Sequence, residues 1–440
     1  MIRADKSTMI PSGELVRGIL TDYKNQMPTF IDMDKLMEYW AYYRYKIRYA
    51  QEELNEKIKW VDNGESKFSV KAKDFIKSRP YAHLLPNTKT GDISVSSLAL
   101  KDLLADDKIP EEFEREVRLY TEWSSMTKIV SAFNDILSKP ISASYSYDGH
   151  KMLMVDPIWV LQNTVRIGMR EPAIQNLPRV IQDIVTVPHG WVMIHCDSGQ
   201  MEPRESYSVV IPDKQIQKLI ILYDDAYYGI WHYACKLTDE DIASGRLDLT
   251  PFEVTDDMKK QRSEIKTYCN AVMYGSESNR KNSAIKAALI KRIGKHPLRL
   301  KEVDRIRNQV MRGNYIMPTY FGTPIDISKS DKLKGKDLHS EEGIHQLIKL
   351  GINNPLQGTA ADLMRLSCVT AHNLIQSKCK NSYIIDYVHD AGRFMIHEDE
   401  YDLVSDELKD IVAYNVAGWI PIKAEAEVGR PELRLFDDLI

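Results

Sequence analysis

Cysteine is scarce in this sequence, and long apolar runs are missing. The five cysteines, Cys196, Cys235, Cys269, Cys368 and Cys379, are odd in number and show no paired spacing. That pattern argues against a disulfide framework, offers no zinc-site spacing and fits a reducing cytoplasm. The N-terminal stretch MIRADKSTMIPSGELVRGIL has no apolar core of signal-peptide length. No run elsewhere approaches the roughly 18 uncharged apolar residues of a membrane span. A soluble cytoplasmic protein with no membrane partner is therefore expected. Internal repeats and low-complexity linkers are also absent, which excludes a solenoid. Neither sign of charge dominates, since the formal net charge is only −4, and this average gives no hint of a nucleic-acid partner.

What the chain does have is size and apolar mass. Its 440 residues with 43% hydrophobic content can fill two or three domain cores, or one large domain with subdomains. Charge is also unevenly distributed. Between Ser278 and Arg312 lie Arg280, Lys281, Lys286, Lys291, Arg292, Lys295, Arg299, Lys301, Arg305, Arg307 and Arg312, opposed only by Glu302 and Asp304. A solvated helical face and a phosphate-binding surface both produce such a block.

The stretch 34–60, DKLMEYWAYYRYKIRYAQEELNEKIKW, lacks Pro and Gly and reads as one long helix whose aromatic stripe packs a core. A turn-rich segment, LLPNTKTGDIS, follows, and 112–138 reads as helix again. The pattern then changes to short β-rich runs: HGWVMIHCD, SYIIDYVHD, GRFMIHE and WIPIKAEAEV. A helical insertion, roughly 214–320, separates the first run from the second. The sheet must be assembled from distant pieces of chain.

Three stretches carry chemistry. In WVMIHCDSGQMEPR, Asp197 ends an apolar strand ahead of a Ser-Gly turn, where an Asp is often only a turn residue. In SYIIDYVHDAGRFMIHE, two apolar runs flank HDAG, so Asp390 lies at or beside the tip of a hairpin. Two strands of one sheet could bring these carboxylates together. Such a pair implies a shared proton or a divalent cation. In RSEIKTYCNAVMYGSE, Arg262, Lys266, Asn270 and Tyr274 recur every four residues and form one stripe on a helix. Arg and Lys one turn apart repel, and an anionic ligand removes the conflict. The stripe suits a triphosphate, with an aromatic ring at its far end for a base or sugar.

In this order and spacing, CDSGQMEPR, RSEIKTYCNAVMYG and YVHDAGRF resemble motifs A, B and C of family A DNA polymerases, the bacterial DNA polymerase I family. QNLPR at 175–179, NNPLQGTAADLM at 353–364 and IPIKAEAEVG near the C-terminus resemble flanking elements of the same family, so the likeness runs from about residue 27 onward. It implies an α+β right hand with helical thumb and fingers and an antiparallel β-sheet palm. The segments would be 31–190 thumb and lead-in, 191–213 palm, 214–345 fingers and 346–440 palm, after an N-terminal segment, 1–30, of unassigned role. The resemblance implies that Asp197 and Asp390, with the Ser198 carbonyl, hold two Mg²⁺ ions. It makes Lys266 the proton donor to pyrophosphate and, with Arg262, the grip on the triphosphate. Glu202 becomes a steric gate against a sugar 2′-hydroxyl, with Tyr274 packed beneath it. Gln200, Asn270 and His232 join the nucleotide site, while Lys128, Arg166, Arg204, Asn353, Gln357 and His389 meet primer or template. The implied partners are primer-template DNA and dNTPs, with a separate exonuclease, helicase-primase or processivity factor as further candidates.

The chain departs from the family pattern in three places. Motif C reads His389-Asp390-Ala391 where His-Asp-Glu is usual, motif A has Asp-Ser-Gly for Asp-Tyr-Ser, and Asn270 stands where an aromatic is usual. A nucleotide pocket with altered tuning is expected, and an aromatic restored at 270 is expected to tighten nucleotide binding. No room precedes the thumb for a proofreading or 5′ nuclease, so a minimal, split or fragmentary polymerase is expected, with phage replication as a setting that suits it. Two other readings compete. A single-subunit RNA polymerase would have no use for Glu202. A catalytically dead DNA-binding scaffold would explain Ala391 and Asn270 but not the retention of Asp197, Lys266 and Asp390, because clustering unused charges costs stability.

Overall fold

Strict alternation builds the strand that carries Asp197. In the computed structural model, Trp191–Ser198 buries Val192, Ile194, Cys196 and Ser198 on one face and leaves Trp191, Met193, His195 and Asp197 half-buried on the other. The structure describes residues 1–58, 68–85, 87, 92–104, 111–138, 144–147, 150–245, 254–275, 283–388 and 390–429. It divides into two units, one of residues 1–28, 159–169 and 189–440, the other of 29–158 and 170–188. The architecture is α+β. Among the described residues no helix is long and apolar enough to cross a membrane.

The larger unit is organised by a four-stranded antiparallel sheet in the order Tyr383–Val388, Ala391–His397, Trp191–Ser198, Ala424–Gly429. The helix Glu341–Lys378, capped by the Ser340 hydroxyl on Gly343 N–H, packs against this sheet and stays continuous through Pro355. Between the first two sheet segments in sequence come the helices Lys214–Tyr223, Ala226–Cys235, Asp256–Met273 and Pro297–Met311, close to the expected insertion. Two of these press together closely. A Cβ on Gly229 would lie 2.6 Å from the Ile220 backbone nitrogen, so only glycine fits there.

The N-terminal segment, unassigned by sequence, belongs to this unit. Ile2–Ala4 pairs in parallel with Tyr414–Val416, and the helix Gly13–Gln26 buries Val16, Ile19, Leu20 and Tyr23. The Tyr23 hydroxyl meets His372 Nδ1 at 3.1 Å.

The smaller unit has its own four-stranded antiparallel sheet, ordered Ser144–Tyr147, His150–Val155, Thr29–Asp32, Val185–Thr186, and two long helices, Met33–Ile58 and Glu111–Ser138. Both helices match the sequence reading. The aromatic stripe does not act wholly as core, however. Tyr39 is buried, whereas Tyr45 and Tyr49 are 67% and 48% exposed. Helical geometry explains the split, since 26 residues of helix turn some aromatics away from any one core.

Candidate active site

The two carboxylates of the sequence reading do meet in space. Asp197 pairs across the sheet with Ala391 on one side and with Glu425 on the other. Asp390 occupies the turn just before Ala391, and its carbonyl accepts from Ser198 N–H at 2.9 Å. Burial above all, then the negative charges of Asp390 and Glu425, push the Asp197 carboxyl up to about 7. The Ser198 N–H and the Lys266 ammonium act the other way. Ser198 turns its hydroxyl into the core, donating to the Val412 carbonyl at 2.8 Å, so only its backbone remains for a role beside the carboxylates.

The cationic stripe lies on the helix Asp256–Met273, which starts at Thr255, whose hydroxyl accepts from Met258 N–H. Lys266 is exposed and Arg262 half-exposed. Arg262 is ion-paired with Asp225, its Nε and Nη2 donating to Oδ2 at 2.9 and 2.7 Å. Asp225 Oδ1 meanwhile accepts from the N–H groups of Tyr227 and Tyr228, capping the next helix. Gln200, in the left-handed conformation at φ 55°, fits the same junction. Its amide donates to Asp225 Oδ2 at 3.0 Å and its carbonyl accepts from Ala226 N–H at 2.5 Å. Both ends of Gln200, expected at the nucleotide, are thus used in joining two parts of the fold.

Glu202 sits in the first turn of Met201–Val209, held from two sides. Tyr274 Oη donates to Oε2 at 2.6 Å and Arg166 Nη2 to Oε1 at 3.0 Å. Burial and this carboxylate push the Tyr274 phenol upward, which keeps it a donor. A small cleft beside the trio is lined by Glu202, Asn270, Tyr274 and Cys269.

Two expected ligand contacts are engaged within the fold. His232 is 3% exposed inside Ala226–Cys235, with Nδ1 2.7 Å from the Tyr223 hydroxyl. Arg204 is 4% exposed and donates to the carbonyls of Pro421 and Asp224, each at 2.9 Å, and to the Asp224 carboxylate at 3.3 Å. It anchors the fold and could reach DNA only by breaking these bonds. Asn353 and Gln357, one turn apart on Glu341–Lys378, are half-buried, and Asn353 Oδ1 is buried without a hydrogen-bond partner. Lys128 is exposed on Glu111–Ser138 in the smaller unit. His389 lies outside the described residues.

Much of the basic block is neutralised internally. Lys291 and Arg292 pair with Asp239, Arg305 with Glu302 and Arg307 with Asp304, while buried Arg299 donates to the Gly294 carbonyl. Arg280 and Lys281 lie outside the described residues. Three residues missed by the sequence reading complete the site: Asp225, Tyr227 and Glu425. An Asp followed by a helical run is a cap signal that could have identified Asp225, and alternation in KAEAEV could have put Glu425 on one face with Glu427.

The carboxylates suit a hard divalent cation. Burial and like charge leave Asp197 with repulsion that a cation would relieve, and the two groups that repel it, Asp390 and Glu425, are carboxylates that offer oxygen ligands. Among the described residues no group of three or more His, Cys, Asp or Glu forms a ready-made metal site.

Comparisons with known proteins agree with this arrangement. The profile described as DNA polymerase family A matches residues 37–432. DNA polymerase I of Pseudomonas aeruginosa is 23% identical over 363 residues, covering 79% of this chain and 36% of that protein. DNA polymerase I of Caldicellulosiruptor bescii is 23% identical over 360 residues, covering 79% and 38%. The chain therefore spans little more than a third of these relatives. A solved structure of the POL domain of Pol1 from M. smegmatis, in complex with DNA primer-template and dNTP, superposes with a TM-score of 0.73 at 18% identity, covering 95% of this chain and 69% of that one.

Proposed function

Because the chain belongs to DNA polymerase family A, we propose that it is a template-directed DNA polymerase that adds deoxynucleotides to a primer 3′ end. One observation carries the reading: Lys266, on the cationic stripe, is near enough to Asp197 to act on its carboxyl. A phosphate-gripping helix and a metal-suited carboxylate pair thus converge within one unit. The segments 191–213 and 346–440 serve as palm, joined by residues 1–28, which pack with them. Residues 214–345 serve as fingers and 31–190 as thumb and lead-in to the palm.

In this mechanism Arg262 and Lys266 bind the triphosphate, and Arg262 exchanges the Asp225 carboxylate for phosphate oxygens as the nucleotide arrives. The primer 3′-hydroxyl attacks the α-phosphorus, and Lys266 gives a proton to the departing pyrophosphate. Asp197 and Asp390 would hold two Mg²⁺ ions, which when bound would supply Lewis-acid activation of the primer hydroxyl and charge compensation for the leaving group. Glu202, fixed by Tyr274 and Arg166, fills the space a 2′-hydroxyl would need. Arg166, Asn353, Gln357, Lys128 and His389 contact primer or template.

Primer extension with Mg²⁺ and dNTPs tests the proposal. Extension should occur, and Asp197→Asn or Asp390→Asn should abolish it while primer-template binding persists. A variant extending at near the wild-type rate removes the carboxylate assignment, and binding without extension by the unaltered chain favours a scaffold.

A further inference from the structure

Tyr227 contributes no motif, yet it touches every residue of the stripe that faces it. Its ring centre lies 5.6 Å from Arg262 Cζ and 5.7 Å from Lys266 Nζ. Its hydroxyl comes close enough to the Asn270 side chain for the two to interact. These three partners are spaced four residues apart on one helix, and Tyr227 comes from another, Ala226–Cys235. We propose that Tyr227 is a positioning residue for the nucleotide-binding stripe, fixing the two cations with its ring and Asn270 with its hydroxyl. This rests on the reading of that stripe as the triphosphate site.

Each partner has a physical reason to be there. Arg262 and Lys266 repel each other at one helical turn, and the negative face of an aromatic ring beside both offsets part of that repulsion. At 4% exposure the ring cannot itself form much of the nucleotide surface, so Tyr227 acts through its partners. A ring wanted only for packing could be Phe. The buried hydroxyl needs a hydrogen bond, and Asn270, at the position where the family usually carries an aromatic, is the neighbour that can supply it. Asn270 thus belongs with Tyr227 as a pair, an aromatic on one helix and an amide on the other. The support is rigid, because Asp225 caps the Tyr227 helix with one oxygen and binds Arg262 with the other, and Gly229 presses that helix onto Ile220.

The pair reverses an expectation taken from sequence. Asn270→Phe, which restores the family's aromatic, strands the Tyr227 hydroxyl and should raise the apparent dNTP KM. The decisive experiment is a double-mutant cycle in primer extension using Tyr227→Phe, Asn270→Ala and the double variant, with Lys266→Ala as reference. Tyr227→Phe keeps the core volume, so folding should survive, which thermal melting verifies. Each single change should raise the dNTP KM about three- to tenfold, the scale of one hydrogen bond, at unchanged primer-template affinity. The double variant should be no worse than the worse single one. Effects that multiply, or a KM within about twofold of wild type for Tyr227→Phe while Lys266→Ala raises it, overturn the proposal and leave the triphosphate site standing. If Lys266→Ala itself leaves KM unchanged, the site reading falls and the proposal falls with it.

Discussion

Removing one charge from the carboxylate site should make the metal-free protein more stable, and the structure sets the sign and scale. The Asp197 carboxyl is pushed from the ordinary 3.8 up to about 7 by burial first and by Asp390 and Glu425 next. A folded state that raises the pKa of an acid binds its proton more tightly than the unfolded chain does. The associated stability is complete below the unfolded value and is lost as pH rises through the folded one. At about 1.36 kcal/mol per pH unit the full difference is about 4 kcal/mol by pH 8. Asp197 is half-buried and shares its repulsion with Asp390, so we expect about 2–4 kcal/mol.

Denaturant melts of chelator-treated protein measure this directly. Wild type should lose stability from about pH 4 to pH 7 relative to Asp197→Asn, with the two coinciding at and below about pH 4. At pH 8 Asp197→Asn should be the more stable by the amount above. Mg²⁺ should close the gap by stabilising wild type alone, by about 2.7 kcal/mol at a hundredfold excess over its Kd. Parallel pH profiles, or an Asp197→Asn variant less stable than wild type at pH 8, would refute the account of a repulsive, metal-suited pair.

Two further outcomes follow from the surrounding side chains. Glu202→Ala should raise ribonucleotide relative to deoxyribonucleotide incorporation by about tenfold or more, the scale on which a pocket senses one hydroxyl; an unmoved ratio in competitive single-nucleotide extension would transfer sugar selection to Tyr274. Arg204→Ala should lower unfolding free energy by about 2–4 kcal/mol through the Pro421 and Asp224 carbonyls it leaves unbonded, without altering primer-template affinity. A loss of affinity at unchanged stability would return Arg204 to the DNA surface.

The sequence made the carboxylate pair legible because its signals are local. Alternation in WVMIHC fixes which face Asp197 takes, and a hairpin tip fixes Asp390, so only their meeting required the third dimension. The long helices Met33–Ile58 and Glu111–Ser138 were readable for the same reason. Where the reading failed, it treated neighbours in sequence as neighbours in space. Arg204 follows Glu202 by two residues on a helix, which is about 200° around the axis, so a Glu202 facing the site sends Arg204 toward the opposite side. Counting charges in a window could not decide the role of the basic block, since Asp239, which neutralises Lys291 and Arg292, lies some fifty positions upstream. Ile2–Ala4 finds its partner strand at Tyr414–Val416, and no local pattern announces a pairing across nearly the whole chain.

Asn270 shows why such misreadings matter for function. Taken alone it is a lost aromatic, which implies a weakened nucleotide pocket. Seen with Tyr227, from a helix more than thirty residues earlier, it is one half of a polar and aromatic pair that places the same cations. A motif scan scores each position against its own column and so records the departure at 270 without the compensation at 227. The physical unit to consider is the packed pair. Substitutions at either member should therefore be weighed against the hydroxyl, ring or amide they leave without a partner, and not against the family's usual residue.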